Sequence, residues 1–133
     1  MYNNNPYSKY KSTQIQTATP GQLILMLYEG AIKFCKFAKI GMEEKDLDKA
    51  NKYLIKVQNI ISELRVSLDM KAGGEISENL NSLYDYMQNR LLDANLKKDI
   101  KILDEVQNLI EELKDAWAQA VKTTGGIKRG RLK

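Results

Sequence analysis

The feature that most constrains the fold of this chain is the position of its prolines. The 133-residue sequence contains two, Pro6 and Pro20, so the strongest helix-breaking residue is missing from everything after position 20. In that stretch apolar residues recur at steps of three and four, the spacing of one face of an α-helix, and no alternating pattern typical of a strand competes with it. The sequence therefore predicts an all-α fold.

Start and stop signals divide the proline-free stretch into predicted helices. The first begins at Thr19, which forms a predicted capping box with Gln22, and it fades near Gly41 to Lys45. The second helix has Asp46 as its predicted N-cap and Gly73 as its predicted stop. Its apolar residues follow a heptad pattern, which makes it the clearest element of the sequence.

Two further helices are predicted after the glycine pair Gly73-Gly74. The third ends at a polar break from Asn95 to Asp99, and the fourth ends at the segment 123–126. The apolar stripes expected to form the core are Leu23, Leu27, Ala31, Phe34 and Ala38; Leu47, Ala50, Leu54, Val57, Ile61, Leu64 and Leu68; Ile76, Leu80, Leu83, Met87, Leu91 and Ala94; and Leu103, Val106, Ile110, Leu113, Trp117 and Ala120.

Four helices of roughly 20 to 25 residues with short connections favour an antiparallel up-and-down four-helix bundle. An alternative is that the first two helices form one long bent helix, although Gly41 and the charged residues 43–46 argue against it. We expect residues 1–18 to form a mobile N-terminal arm, residues 19–124 to form the bundle domain and residues 125–133 to form a basic flexible tail.

Residue types that common enzyme chemistry needs are missing. The chain has no histidine, which is the commonest general base and a ligand in helical di-metal sites, and its single cysteine, Cys35, therefore has no histidine to activate it. The glycine pair at 73–74 lacks the lysine and hydroxyl residue of a phosphate-binding loop. We expect no catalytic residue, no metal and no cofactor, and hence a protein that is not an enzyme.

Hydropathy and charge predict the compartment and limit the partners. The longest apolar run, Leu23 to Tyr28, is far shorter than the roughly 20 residues of a membrane span, and the start lacks a secretory signal, so we expect a soluble cytoplasmic protein. The net charge of +4 belongs to the tail, since 17 basic and 17 acidic residues remain without Lys128, Arg129, Arg131 and Lys133. Nucleic-acid binding through the tail is an alternative, but such a short basic end without aromatics is more typical of a solubilising segment.

Apolar residues beyond the stripes widen the predicted apolar faces. The first helix adds several from Ile24 to Tyr28, and the second adds Tyr53 and Ile60, seven residues apart. Wide faces are normal in small bundles, yet together these residues favour a long groove that captures an amphipathic partner helix. In the arm, Tyr7 and Tyr10 are expected to fold back onto this groove as a lid.

Several separated blocks of the sequence stand in the order found in a known family. They are Tyr10-Lys11; Thr17-Ala18-Thr19-Pro20-Gly21-Gln22-Leu23-Ile24; Met26-Leu27-Tyr28-Glu29-Gly30-Ala31-Ile32; Ala50-Asn51-Lys52-Tyr53-Leu54; Gln58-Asn59-Ile60-Ile61-Ser62-Glu63-Leu64; Gly73-Gly74-Glu75-Ile76; Asn79-Leu80; Leu83-Tyr84-Asp85-Tyr86-Met87; and Glu105-Val106 to Trp117. From about residue 6 to about residue 122 the chain resembles the bacterial flagellar secretion chaperone family FliS, which binds flagellin. Thr19 stands where a serine is common in that family, and the basic tail lies beyond the matching region.

The resemblance implies a function and a set of partners. A member of this family is expected to bind the C-terminal segment of newly made flagellin in the cytoplasm, to prevent its premature polymerisation and to deliver it to the flagellar type III export apparatus. Family members are also associated with the export-gate protein, an anti-sigma factor and a flagellin assembly factor, which the resemblance adds as candidate partners. The alternative is a helical self-assembling structural or adaptor protein without a flagellin client.

Flagellin's terminal segment is expected to fold as helices along the outer grooves of the bundle. Any candidate contact can equally belong to the core, because sequence alone does not assign the faces of a helix. The candidate client contacts are Ile15, Leu25, Tyr28, Tyr53, Ile60, Tyr84, Met87, Ile102 and Leu109, with polar contributions from Asn51, Gln58 and Asn79.

Overall fold

A computed structural model describes the backbone of residues 18–132 and the side chains of residues 18–123. Within this part of the chain there are four helices and no strand, which confirms the all-α prediction. The predicted lid residues Tyr7 and Tyr10 and the predicted contact Ile15 lie outside the described residues. The helices are α1 (Pro20–Glu43), α2 (Leu47–Val66), α3 (Gly74–Lys97) and α4 (Ile100–Leu132).

The helices form an antiparallel four-helix bundle in which α1 and α3 each pack against both α2 and α4. Contacts between α1 and α4 run in opposite order along the two helices. Near the start of α1, Gly21 O accepts from Trp117 Nε1 at 2.9 Å, and near its end Lys39 Nζ lies 3.2 Å from Asp104 Oδ1. The same order holds between α2 and α3, where Arg65 pairs with Asp85 and Asn51 pairs with Asn95. The up-and-down prediction is confirmed.

Both predicted N-caps are present. Thr19 Oγ1 accepts from Gln22 N at 3.2 Å while Thr19 N donates to Gln22 Oε1 at 3.0 Å, which completes the capping box of α1. Asp46 Oδ1 accepts from Lys49 N at 3.0 Å at the start of α2. Between them Lys45 has φ of 59°, a left-handed conformation that interrupts the helix. The alternative of one long helix through α1 and α2 is therefore wrong.

Gly41 is a point of close approach between α1 and α2. A Cβ atom at this position would lie 2.7 Å from the backbone nitrogen of Ala50, closer than atoms normally approach. The glycine stands inside α1 rather than after its end, because the helix continues to Glu43. Its lack of a side chain therefore allows the last turns of α1 to pack closely against the start of α2.

The glycine pair Gly73-Gly74 opens α3 instead of ending α2, which corrects the prediction for Gly73. Helix α2 already ends at Val66, and Gly73 occupies the N-cap position of α3. The intervening turn is held by Asp69, whose Oδ1 accepts from the backbone nitrogens of Lys71 and Ala72. Gly74 has φ of 52°, which a residue without Cβ adopts at little cost.

Helix α4 continues through residues 123–126 to Leu132, so the predicted stop at that segment is wrong. Each glycine costs about 1 kcal/mol relative to alanine in a helix but keeps its backbone N–H, and no proline is present to remove a hydrogen bond. The side chains of 124–133 lie outside those described, and the role of 125–133 as a separate basic tail stays a prediction.

The heptad prediction for α2 is largely confirmed. Ala50, Leu54, Val57, Ile61 and Leu64 are all fully buried. Only the ends of the predicted stripe differ. Leu47, the first helical residue, is 59% exposed, and Leu68 follows the end of the helix and is partly buried.

The core faces of α1 and α3 match their predicted stripes only in part. Ala31 and Ala38 in α1 and Met87, Leu91 and Ala94 in α3 are fully buried, as predicted. Helix α1 contacts both α2 and α4, so its buried surface is wide and moves Leu23, Leu27 and Phe34 to its half-buried borders. In α3, Ile76 is 71% exposed while the neighbouring Ser77 is buried and donates to Asp69 O. The residues of α1 that are buried are Tyr28, Ala31, Ile32, Cys35, Ala38, Gly41 and Met42.

Candidate binding surfaces

Four of the predicted client contacts lie in the core of the bundle and are not accessible on its surface. Tyr28 and Tyr84 are each 2% exposed, Met87 is 0% exposed and Ile102 is 8% exposed. The two tyrosines can be buried because their hydroxyl oxygens lie 2.6 Å apart and satisfy each other without water. The core assignment that the sequence left open is the correct one for these four residues.

Burial also makes the tyrosine pair chemically inert. Loss of solvent raises the pKa of Tyr28 above its ordinary value, although the hydrogen bond from Tyr84 partly opposes this. The pKa of Tyr84 is raised as well, mainly by loss of solvent and next by the hydrogen bond with Tyr28. Both phenols therefore stay protonated over the ordinary pH range, and their contribution is structural.

The predicted polar contacts on α2 belong to a polar seam between α2 and α3. Asn51 Oδ1 accepts from Asn95 Nδ2 at 2.8 Å, and the carbonyl oxygen of Gln58 accepts from Gln88 Nε2 at 2.9 Å. At the other end of this seam Arg65 Nε donates to an amide oxygen of α3 at 2.6 Å. These contacts join α2 to α3 through polar groups along the seam. The remaining predicted polar contact, Asn79, is exposed on α3.

The seam between α3 and α4 is polar as well. Glu105 accepts from Arg90 Nε at 2.9 Å and from the Tyr86 hydroxyl at 2.5 Å. The hydrogen bond from Tyr86 and, to a smaller extent, that from Arg90 lower the pKa of the Glu105 carboxyl. The hydrogen bond to Glu105 in turn raises the pKa of Tyr86. An ion pair and a phenol thus cover this side of the bundle.

An apolar cleft of about 830 Å³ lies where α1 begins. Gly41 approaches Ala50 and Gly30 approaches Ile60, so the antiparallel register brings the end of α2 at Val66 level with about residue 24 of α1. The first turn of α1 therefore extends beyond α2 and is flanked mainly by α4. The cleft is lined by Thr19, Pro20, Gly21, Leu23, Ile24, Leu27, Glu63, Ser67, Trp117, Ala120 and Val121.

Trp117 fixes the α4 wall of this cleft. Its indole nitrogen donates to the carbonyl oxygen of Gly21 across the bundle, while its ring is partly buried against the core. A Cβ atom added to Gly21 would lie 3.1 Å from Val121 Cγ2, so α1 and α4 meet closely here. The apolar lining is thus held in place by the same contact that joins the two helices.

A second surface lies on the groove between α1 and α2 and contains two of the predicted contacts. Tyr53 stacks on Phe34 with ring centroids 5.8 Å apart and meets Phe37 edge-on at 5.1 Å. Ile60 is half-buried further along the same groove and lies near Gly30. Of the other predicted contacts, Leu25 is half-buried on α1 and Leu109 is half-buried on α4. Those predicted contacts that lie within residues 18–123 therefore do not form one continuous groove.

Sequence reasoning placed four of the eleven cleft-lining residues in the core. Leu23, Leu27, Trp117 and Ala120 were expected to be core, yet they border an open cleft. Periodicity finds the apolar face of a helix but not the length of the helix that covers it. The available signal was the uninterrupted apolar run from Leu23 to Tyr28. This run covers more faces of α1 than a single buried stripe requires.

None of the helices within residues 18–132 combines the length and apolar character that a membrane crossing requires. Comparison with solved structures finds a chain described as a flagellar chaperone from bacteria, with a TM-score of 0.73 at 20% identity, covering 88% of this chain and 95% of that one. At this identity the match supports the fold of the bundle.

Comparison with known sequences gives the family. The model of the flagellar protein FliS matches residues 3–124. The flagellar secretion chaperone FliS of Bacillus subtilis strain 168 is 43% identical over 119 residues, which cover 90% of this chain and 88% of the relative. That of Salmonella typhimurium is 42% identical over 106 residues, covering 79% and 78%. The chain belongs to the FliS family, a family of flagellar secretion chaperones and not of enzymes.

Proposed function

We propose that this chain is a cytoplasmic export chaperone that binds the C-terminal segment of flagellin, prevents its premature polymerisation and delivers it to the flagellar type III export apparatus. The observation that carries the proposal is the apolar cleft beside the first turn of α1, whose volume of about 830 Å³ suits side chains of a partner segment. The names of the relatives support a chaperone role in flagellar secretion.

Binding in this proposal is coupled to folding of the client. A disordered segment loses conformational entropy when it orders, so the chaperone must supply extensive apolar contact and still release the client for export. The cleft supplies Leu23, Ile24 and Leu27, and the half-buried Leu25, Ile60 and Leu109 remain candidate contacts on the flanking surfaces. Apolar contact without covalent bonds is reversible, as export requires.

The N-terminal arm is proposed to cover the cleft when no client is bound. The chain enters α1 through Thr19, which itself lines the cleft, so the preceding residues start beside the site that they are proposed to cover. The arm carries Tyr7, Tyr10 and Ile15, whose apolar parts suit this cleft. Further partners in the same proposal are the export-gate protein, an anti-sigma factor and a flagellin assembly factor, with which family members are associated.

The proposal is tested by calorimetric titration with the host's flagellin, with and without its C-terminal segment. Flagellin is expected to bind, and the truncated flagellin is expected not to bind. Ile24→Asp places a charge in the cleft and is expected to weaken binding at least about tenfold, because an unpaired carboxylate is costly to bury. The matched control is Leu96→Asp, at a residue that is 76% exposed near the opposite end of the bundle.

Two results would contradict the proposal. One is equal binding of the full-length and truncated flagellins. The other is an equal effect of the cleft and control substitutions when circular dichroism shows both variants folded. A chain that ignores flagellin and forms concentration-dependent oligomers in sedimentation would instead support the self-assembling alternative.

A further inference from the structure

Six lysines lie on neighbouring stretches of α1 and α2, and one of them, Lys39, faces Asp104 of α4. Residues 30–42 contain Lys33, Lys36 and Lys39, residues 49–62 contain three more lysines, and neither stretch contains Asp or Glu. The two stretches lie side by side, because α1 and α2 are antiparallel neighbours. This basic surface was not visible in the net charge, which the sequence attributes to the tail.

Aromatic rings lie at the centre of this basic surface. Phe34 and Phe37 from α1 meet Tyr53 from α2, so the rings form one continuous apolar area across the groove. Phe37 is 36% exposed, and part of this area therefore faces solvent. We call this surface the lysine–aromatic patch, and it consists of Lys33, Phe34, Phe37, Lys52, Tyr53 and Lys56.

The three lysines of the patch are positioned by the rings. Lys33 Nζ and Lys56 Nζ lie 5.1 Å and 5.5 Å from the centroid of the Phe34 ring, and Lys52 Nζ lies 5.2 Å from that of Tyr53. Such contacts between a cation and a ring face are favourable and orient the ammonium groups around the apolar area.

The three lysines of the patch form no ion pair within 4.0 Å among residues 18–123, although Glu29 and Asp48 lie one helical turn before Lys33 and Lys52. Lys39 pairs with Asp104 at 3.2 Å and Lys49 pairs with Glu44 at 3.3 Å, which accounts for two of the six. No carboxylate of the described residues lies within 4.0 Å of Lys33, Lys52 or Lys56. The patch therefore offers three fixed positive charges to an incoming group.

The chain's own segments do not match this charge. Residues 1–17 contain Lys9 and Lys11 and no acid, and residues 124–133 contain four basic residues and no acid. A symmetric contact with a second copy would place lysines against lysines, because a two-fold interface joins identical surfaces. Charge complementarity thus favours a different molecule that carries carboxylates or phosphates.

The aromatic geometry favours a protein segment over a nucleic acid. Bases bind single aromatic rings by stacking on an open ring face. Here Lys33 and Lys56 lie over the Phe34 ring and Tyr53 stacks on it, so its faces are already in use. A groove between two antiparallel helices suits a third helix instead, with an apolar stripe against the rings and acidic residues beside it.

We propose that the lysine–aromatic patch is a docking site for an acidic amphipathic helix of a partner protein, separate from the apolar cleft. Apolar side chains of that helix contact Phe37 and Tyr53, and its carboxylates contact Lys33, Lys52 and Lys56. The proposal does not depend on flagellin being the client. It adds a second partner surface on the α1–α2 side of the bundle.

The test uses a designed helical peptide of roughly 18 residues, with Leu and Phe along one face and Glu on both flanks of that face. A matched peptide has Gln in place of each Glu. Binding to the full chain is measured by fluorescence anisotropy in roughly 50 mM salt, where charge interactions are weakly screened. The Glu peptide is expected to bind at least about tenfold more tightly than the Gln peptide.

Two triple variants separate the patch from net charge. Lys33→Glu, Lys52→Glu and Lys56→Glu together are expected to weaken binding of the Glu peptide at least about tenfold. The control carries Lys71→Glu, Lys97→Glu and Lys101→Glu, three exposed lysines outside the patch that give the same total charge. It is expected to bind like the parent. Phe37→Ser tests the apolar contact and is expected to weaken binding about fivefold or more.

Several results would overturn the proposal. Equal affinity for the Glu and Gln peptides, or equal losses in the two triple variants, would leave no role for a fixed basic site. Patch-dependent binding of a single-stranded RNA probe or of vesicles containing phosphatidylserine, without peptide binding, would show a different class of partner. Self-association of the parent that disappears only in the patch variant would show that the occupant is a second copy.

Discussion

The hydroxyl oxygens of Tyr28 and Tyr84 lie 2.6 Å apart in the core, joining α1 to α3 across the bundle. These two helices are not neighbours in the ring of packed helices, so this hydrogen bond crosses the centre of the molecule. Each phenol supplies the polar partner that the other needs. This relationship explains how a four-helix core accommodates two tyrosines that the sequence assigned to a client surface.

Replacing one tyrosine of this pair by phenylalanine should destabilise the fold more than replacing both. Tyr28→Phe or Tyr84→Phe leaves a buried hydroxyl unpaired, which costs about 1 to 3 kcal/mol, whereas the double variant leaves none. Urea unfolding of the parent, both single variants and the double variant gives the coupling free energy. Strictly additive losses would mean that the two hydroxyls do not depend on each other.

The buried Cys35 thiol should make the fold less stable at alkaline pH. Burial raises the pKa of Cys35 from 9.0 to about 12, with the carboxylates of Glu111 and Asp104 adding to the shift. Above pH 9 the unfolded chain loses this proton while the folded chain keeps it, so stability is full below pH 9 and falls as pH rises toward 12. The raised pKa values of Tyr28 and Tyr84 act in the same direction above pH 10.

The contribution of the thiol is measured by urea unfolding between pH 8 and pH 10.5. Cys35→Ala is expected to show a smaller loss of unfolding free energy over this interval than the parent, whose slope from one thiol approaches about 1.4 kcal/mol per pH unit. Val57→Ala is the control, because it also opens space in the core but removes no titrating group. Parallel pH profiles for Cys35→Ala and the parent would show that the thiol is not responsible.

Core substitutions in α2 should be far more costly than substitution at its first residue. Leu54→Ala and Ile61→Ala are each expected to cost about 2 to 5 kcal/mol, because both side chains are fully buried. Leu47→Ala, at a residue that is 59% exposed, is expected to change stability by less than about 0.5 kcal/mol. Chemical denaturation decides between these values, and parent-like unfolding of both core variants would refute the assigned face of α2.

Two glycines of α1 should respond to alanine with opposite signs. Gly41→Ala places a Cβ atom 2.7 Å from Ala50 N, so the clash with backbone should outweigh the helix propensity gained. Gly30→Ala places its Cβ atom 3.4 Å from Ile60 Cδ1, the end of a flexible side chain, and should stabilise by about 0.5 to 1 kcal/mol. Thermal unfolding of the pair measures both effects, and stabilisation by Gly41→Ala would contradict the close helix contact.

The sequence predicted what depends on local residues. The capping box at Thr19 and the N-cap at Asp46 need only residues three positions away, and the face of α2 follows from one regular heptad. The face of α1 was less predictable, because apolar residues occupy every position from Leu23 to Tyr28 and the helix buries Tyr28 as well as Ala31. Periodicity alone does not say which of several apolar faces is buried.

The candidate surfaces depend on relationships between helices, which a single sequence does not contain. The apolar cleft exists because α2 ends at Val66 while α1 and α4 extend further, and this end was predicted several residues later, at Gly73. The lysine–aromatic patch likewise requires α1 and α2 to place Phe37 beside Tyr53. The sequence suggested a second apolar face with Tyr53 and Ile60, which lie on the α1–α2 groove, but it did not predict the polar contact by which Asn51 joins α2 to α3.

Removal of residues 1–16 should increase both the rate of flagellin association and self-association of the chain. The proposed arm carries Tyr7 and Tyr10 and joins the bundle beside the cleft at Thr19, so it competes with the client for the same apolar surface. Apparent affinity falls by the fraction of molecules in which such a lid is open, and an uncovered apolar cleft favours contact between copies. The deletion keeps the Thr19 capping box, so α1 should start where it does in the full chain.

Stopped-flow binding and sedimentation velocity measure the two effects, with Tyr7→Ser plus Tyr10→Ser in the full chain as a matched variant. A deletion variant that stays monomeric and binds no faster would show that the arm is not a lid, and much slower binding would place the arm within the client site.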